Sequence, residues 1–173
     1  MAPLTGEVRA PQILVTALGV SNYIFAEATW TQGLPDWFGS HQRALQFFSG
    51  VTELLVIDNL KSGVRKTCRY EPDINPTCQE KAVQQGTAVL SARVRKPRDK
   101  AKAEVGVQLW VLAPLRKKTF FGLSELNQAI RRLLDRLNNR FFKKLSGSRC
   151  SMYESLDKPA LKSLSATAHQ YCA

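Results

Sequence analysis

Two carboxylates in this chain stand where metal and phosphate chemistry could be done. The stretch Glu53-Leu54-Leu55-Val56-Ile57-Asp58-Asn59-Leu60-Lys61-Ser62-Gly63 holds four consecutive apolar residues, two of them β-branched, which predict a buried strand. Asp58-Asn59 and Ser62-Gly63 are turn formers, so Asp58 falls where that strand runs out. Open α/β sheets build their sites at that end, although an Asx turn that only ends the strand would also account for it. Glu104 lies 46 positions further on, within a basic helical pattern over residues 96–108. Carboxylates supply the oxygen ligands that magnesium prefers. Lys100 precedes Glu104 by one helical turn, so a surface salt bridge is the plain alternative for that pair.

The elements that would carry these residues can be read in chain order. Ile13–Leu18 and Tyr23–Trp30 predict two strands joined by a turn around Gly19-Val20-Ser21-Asn22, with Glu27 facing solvent. Pro35 and Asp36 open a helix, with Asp36 as its cap. Its apolar face is Trp37, His41, Ala44, Leu45 and Phe48, and Gly50 stops it. His41 on or beside that stripe reads as a packed or half-exposed histidine rather than a base. Residues 62–77 read as a loop in which Arg65, Lys66 and Arg69 surround Tyr70, a mixture that suits a DNA strand or plain solvent equally. A second helix runs from Asn75-Pro76 to near Gly86, and a strand from Thr87 to Val94. Six basic residues then fall between Arg93 and Lys102, and Pro97 with Asp99 marks the entry of the helix that holds Lys100 and Glu104. Pro114 stands where that helix should continue. Ser124 caps a last helix whose stripe is Leu126, Ala129, Ile130, Leu133, Leu134 and Leu137, with Arg131, Arg132 and Arg136 outward. From Gly147 the chain is expected to loosen, apart from a short turn over residues 151–156.

Charge narrows the partner. The chain has 173 residues, 44% of them hydrophobic, enough for one domain with a core. Its formal net charge is +11, and residues 93–149 hold 16 Lys+Arg against 4 Asp+Glu. The excess therefore sits in one third of the chain and points to a polyanion, nucleic acid before a membrane surface. The four cysteines, Cys68, Cys78, Cys150 and Cys172, form no Cys-x-x-Cys pair and imply free thiols in a reducing, cytoplasmic setting rather than zinc or disulfides. No apolar run is long enough to span a membrane. Ile13–Val20 mimics a secretory signal only in outline, since Thr16 and Gly19 interrupt it and Glu7 precedes it.

Several blocks together resemble an IstA-type insertion-sequence transposase. They are residues 22–32, residues 56–64 with Asp-Asn-Leu-Lys-Ser-Gly, residues 68–76, and residues 96–104. The resemblance runs from about Thr5 to about Leu164. It implies an α/β chain with the ribonuclease-H-like fold of a retroviral integrase catalytic core. It divides the chain into a partial core over residues 1–118, a C-terminal helical extension over 119–145 and a flexible tail over 146–173. The family site is an Asp, Asp, Glu set. Asp58 matches the second carboxylate and Glu104 the third, as catalytic residues and metal ligands. The first would lie on a strand preceding Met1, so the core is expected to be incomplete and the isolated chain inactive. After Gln108 the chain departs from the family, the usual helix reading about three residues longer in this sequence.

What the resemblance implies about function is concrete. Two divalent ions, usually magnesium, would serve in-line displacement at phosphorus, giving DNA strand cleavage and strand transfer in integration and recombination. Lys61, Arg65, Lys66, Arg95, Lys96, Arg98, Lys100 and Lys102 would bind the nucleic acid. The implied partners are transposon-end and target DNA, further copies of the chain in a multimer on DNA, and an ATP-hydrolysing helper protein. The protein would be nucleoid-associated when bound. A catalytically inactive basic remnant that binds DNA or a partner is the alternative, and an RNA-associated basic domain a third reading.

Overall fold

The computed structural model describes residues 9–57, 64–66, 73–74, 76, 79–80, 83, 86–91 and 107–164. The chain divides into two compact units, Met1–Gln32 with Pro97–Pro159 and Gly33–Lys96 with Ala160–Ala173.

The first unit is built on a hairpin. β1 (Gln12–Ala17) and β2 (Ile24–Thr29) pair antiparallel, from Gln12 opposite Thr29 to Ala17 opposite Ile24. The Leu18 N–H donates to the Tyr23 carbonyl at 3.0 Å to close the turn, and Asn22 takes the left-handed conformation there, φ 52°. Asparagine adopts that region more readily than most residues. β2 is buried on both faces, so strand alternation does not separate inside from outside. Glu27, expected to face solvent, is therefore buried, at 8% exposure.

α2 (Leu123–Asn139) lays its stripe of Leu126, Ala129, Ile130, Leu134 and Leu137 against Ile24, Ala26 and Ala28 of β2 and against Val107, Val111 and Leu115. Two asparagines on α2 then bond to the β2 backbone. Asn138 Oδ1 accepts from the Ile24 N–H at 3.1 Å, and its Nδ2 donates to the Ile24 carbonyl at 2.8 Å. Asn127 does the same for Ala28, at 2.7 and 2.9 Å. The two asparagines are 11 residues apart, about three helical turns, so both fall on one side of α2. Each amide acts as a miniature strand partner along the edge of β2 that β1 does not use. This satisfies backbone groups that burial would otherwise orphan.

Two details of this unit differ from expectation. α2 begins at Leu123 with Gly122 at its N-cap, and Ser124 caps nothing because it already lies inside the helix. Glu125 does part of that work instead, accepting from the Phe121 N–H at 3.0 Å. Pro114 does not end its helix. The chain is π-helical over Gln108–Leu112 and α-helical over Ala113–Leu115, with the Ala113 N–H reaching back to the Gln108 carbonyl. Proline in an α-helix clashes with the carbonyl four residues before it, and a widened π turn just upstream is where that conflict can be absorbed. Leu112 packs against the core from this segment.

The chain does not loosen at Gly147. Ser148 forms a capping box with Ser151 at the start of α3 (Arg149–Met152), and helical turns continue over Tyr153–Asp157 and Lys158–Ala160. Tyr153 stacks on Tyr23 of the hairpin turn, with centroids 4.4 Å apart, and the Asp157 carboxylate accepts from the Ser21 N–H at 3.0 Å. Burial is the main cause that pushes the Tyr23 hydroxyl up to about 12.

In the second unit α1 spans Leu34–Phe48 and buries Trp37, Ser40, Ala44 and Phe48. Asp36 lies in its first turn without capping it. The left-handed residue at its end is Ser49, φ 56°, rather than Gly50. Gly50 is required for another reason: a Cβ there would lie 2.6 Å from Leu161 Cβ and 2.9 Å from the Lys162 carbonyl. Just beyond it Val51 and Lys162 exchange backbone hydrogen bonds of 2.9 Å. β3 (Leu54–Ile57) pairs parallel with β6 (Ala88–Ser91). The strand expected to be buried is only half so. Ile57 is buried, but Leu54 and Val56 are 46% and 57% exposed, on the same face as Leu90. Within residues 62–77, expected to be a loop, β4 (Val64–Lys66) and β5 (Asp73–Ile74) form a small antiparallel pair with an irregular register.

The asparagine clamps make a ranked prediction. Asn138→Ala leaves a buried N–H and a buried C=O without partners and should destabilise the chain by about 2–6 kcal/mol, at ~1–3 kcal/mol for each orphaned group. Asn127 is only half-buried, so Asn127→Ala should cost less. Urea unfolding midpoints at unchanged m-value would check both the size and the order.

Candidate functional site

The parallel pair gives the candidate site its geometry. Ile57 and Ser91, the last residues of β3 and β6, are register partners, so both strands deliver the chain to the same end of their sheet. Asp58 follows Ile57 directly, and the basic run from Arg93 begins just beyond Ser91. That end is the carboxyl end of a parallel pair, where ligand sites form in α/β folds. A short strand and a parallel register are what bring segments more than thirty residues apart to one edge.

Asp58, Lys61, Arg95, Lys96, Arg98, Lys100, Lys102 and Glu104 themselves lie outside the described residues. Arg65 and Lys66 are on β4, where Lys66 is opposite Asp73 of β5. Val107, three residues after Glu104 in sequence, is helical, 1% exposed and part of the core of the first unit. Among the described residues, no group of three His, Cys, Asp or Glu side chains could hold a metal ion. Asp58 and Glu104 are of the residue type, a hard oxygen donor, that a divalent cation such as magnesium takes.

His41 is not positioned as a base. Its ring lies 3.9 Å from that of Trp37, centroid to centroid, and Nδ1 is 2.8 Å from the Trp37 carbonyl one turn earlier. Burial holds its imidazole below the usual pKa, against the opposing effect of that backbone hydrogen bond. The sequence reading of a packed histidine on the apolar stripe is met. Cys150, the one cysteine among the described residues, is a free thiol. Among those residues no helix is long and apolar enough to cross a membrane.

The fold is that of the retroviral integrase catalytic cores, a ribonuclease-H-like α/β architecture. The chain superposes on the simian T-cell lymphotropic virus intasome structure with a TM-score of 0.68, covering 94% of this chain and 55% of that one at 10% identity. It superposes on the catalytic core domain of BIV integrase with a TM-score of 0.64, covering 86% and 89% at 12% identity. The HTLV-2 integrase core, a structure in complex with magnesium, gives a TM-score of 0.59 at 10% identity, covering 83% and 92%.

Sequence similarity adds relatives to this fold. The chain is 45% identical over 172 residues, 98% of its length, to a "Putative transposase" of Sinorhizobium fredii. It is 51% identical over 155 residues, 88% of its length, to the "Putative transposase for insertion sequence IS408" of Burkholderia multivorans. The resemblance to insertion-sequence transposases read from residues 22–32, 56–64, 68–76 and 96–104 is thus found across most of the chain. The chain spans about a third of the length of these relatives, 33% and 30%. No protein-family model matches it.

The histidine carries a pH prediction. A neutral His41 whose folded pKa is depressed adds stability that is fully present above the unfolded value of 6.5. As pH falls below that value the unfolded chain binds a proton that the folded chain refuses, and stability is lost. Denaturant midpoints should fall between about pH 7 and pH 5. His41→Gln should flatten that part of the profile, and the imidazole proton resonances should titrate below the ordinary histidine range.

Proposed function

We propose that the chain is catalytic-core sequence of an insertion-sequence transposase, acting on DNA by two-metal phosphoryl transfer in strand cleavage and strand transfer. The observation that carries this reading is the agreement of two independent comparisons: an integrase-core fold, and similarity over most of this chain to chains named "Putative transposase", one of them for an insertion sequence. The parallel pairing of β3 and β6 supports it, since Ile57, the residue before Asp58, and Ser91, just before the basic run in sequence, lie at the same end of their sheet.

In this reading Asp58 and Glu104 hold divalent ions. When bound, the ions would activate the attacking oxygen and offset charge at the leaving one. The protein's own part is to place carboxylates at a strand end and to bind the phosphate backbone. Lys61, Lys100 and Lys102 would contact phosphates near the reacting position. Arg65, Lys66, Arg95, Lys96 and Arg98 would extend the contact along the strand. The protein would act as a multimer on transposon-end and target DNA.

Two measurements test this. Affinity for duplex DNA should be largely independent of sequence, and its logarithm should fall steeply with the logarithm of salt concentration. Charge reversal at Lys96, Arg98, Lys100 and Lys102 together should lower both the affinity and the slope, by about 0.9 for each phosphate that is no longer neutralised. Manganese binding, followed by electron paramagnetic resonance, should weaken at least tenfold in Asp58→Asn and in Glu104→Gln, with circular dichroism unchanged. Manganese affinity equal to that of the unsubstituted chain in both variants would rule the carboxylates out as ligands.

A further inference from the structure

The positive charge does not end with the segment before Glu104. Residues 113–149 carry ten Lys+Arg against two Asp+Glu, and the structure describes all of them. Two features of that region combine cations with apolar surface. One is a groove of about 590 Å3 lined by Pro114, Leu133 and Leu137 together with Lys118, Arg136 and Arg140. The other is the loop that follows α2.

That loop is held at its base. Phe141 and Ser148 form an antiparallel bridge, and the Phe142 N–H donates to the Gly147 carbonyl at 2.9 Å. Gly147 turns the chain at φ 86°, and the Arg149 guanidinium lies 5.4 Å from the Phe142 ring centroid. Against this fixed base, Phe141 is 76% exposed, and Lys143 and Lys144 are exposed beside it. Leaving an aromatic ring that open forfeits the gain of burying it. Basic side chains around an exposed ring are the pairing that a nucleic-acid strand uses: cations for phosphates and a flat apolar face for a base. Arg140 links the two features, since it lines the groove and directly precedes Phe141.

Charge decides the kind of partner. A second copy of the chain would bring the same excess of lysine and arginine to this face and be repelled, whereas a polyanion complements it. We propose that the groove at the end of α2 and the 140–144 loop form a second DNA-contact surface. In it Arg136, Arg140, Lys143 and Lys144 bind phosphates and Phe141 stacks on an unpaired base. This rests on the reading of the chain as a DNA-acting core, but it concerns residues apart from those around Asp58 and Glu104.

The test uses the full chain and two fluorescent probes, a blunt duplex and the same duplex with a short single-stranded tail. R136E, R140E, K143E and K144E combined should weaken binding of both probes at least tenfold at low salt. The combination should also lower the salt slope by about 3.6, at ~0.9 for each of the four phosphates. F141A should weaken binding of the tailed probe about fivefold or more and leave the blunt duplex unchanged. All of these side chains are exposed, and circular dichroism would confirm that the variants fold. An unchanged salt slope in the four-residue variant overturns the surface, and an equal effect of F141A on both probes overturns the stacking. Loss of self-association in that variant, with DNA binding intact, would assign the face to a second copy and overturn the proposal. Failure of the unsubstituted chain to bind either probe would instead sink the DNA reading as a whole.

Discussion

The first unit depends on how the outer edge of β2 is satisfied. β1 takes one side of that strand, and the other side is buried beneath α2, where water cannot reach the backbone. A helix offers no ladder of its own to a strand. Asn127 and Asn138 supply one, each amide presenting an acceptor and a donor to a single residue of β2. An unsatisfied buried pair would cost more than the net worth of any one such bond, which is why the asparagines matter more than the net strength of their hydrogen bonds suggests. With the edge closed, the apolar stripe of α2 can lie flat on Ile24, Ala26 and Ala28, and the helical turns after it can return to the hairpin through Tyr153 and Asp157.

The second unit follows a different logic. A parallel pair must be reached by a crossover, and here that crossover includes β4, β5 and helical residues before β6. The consequence is positional: parallel strands put their carboxyl ends, Ile57 and Ser91, on one side of the sheet. Gly50 serves the same unit from its other end, by letting the backbone approach Leu161 and Lys162 closely enough for the bridge at Val51.

Positive charge is spread over both the segment before Glu104 and the region around α2. This matters because phosphate contacts are additive in salt dependence and need no fixed sequence partner. In the proposed reading, several such contacts would orient DNA while Asp58 and Glu104 would serve the reaction. The exposed Phe141 adds a contact of another kind, since a ring stacks on bases but not on phosphates.

Much of this was legible in the sequence because it rests on local or periodic signals. The alternation in the hairpin, the 3.6-residue stripe of α2, the short strand ending before Asp58 and the uneven charge are properties of neighbouring residues. The resemblance blocks added the family of folds, and the comparisons agree with it. What the sequence could not decide was burial that depends on distant partners. Glu27 looked solvent-facing because alternation assumes one covered face, and β2 has two. Leu54 and Val56 looked buried because an apolar run does not say which faces of its strand are covered. Ser124 looked like a cap because its residue type fits one, yet the helix starts earlier and Glu125 reaches back instead. Asn127 and Asn138 carried no sequence signal at all, for their role exists only when a strand about a hundred residues earlier lies against the helix. Local chemistry determined which elements form and where charge collects; only the tertiary structure decided which edges and faces those elements would have to satisfy.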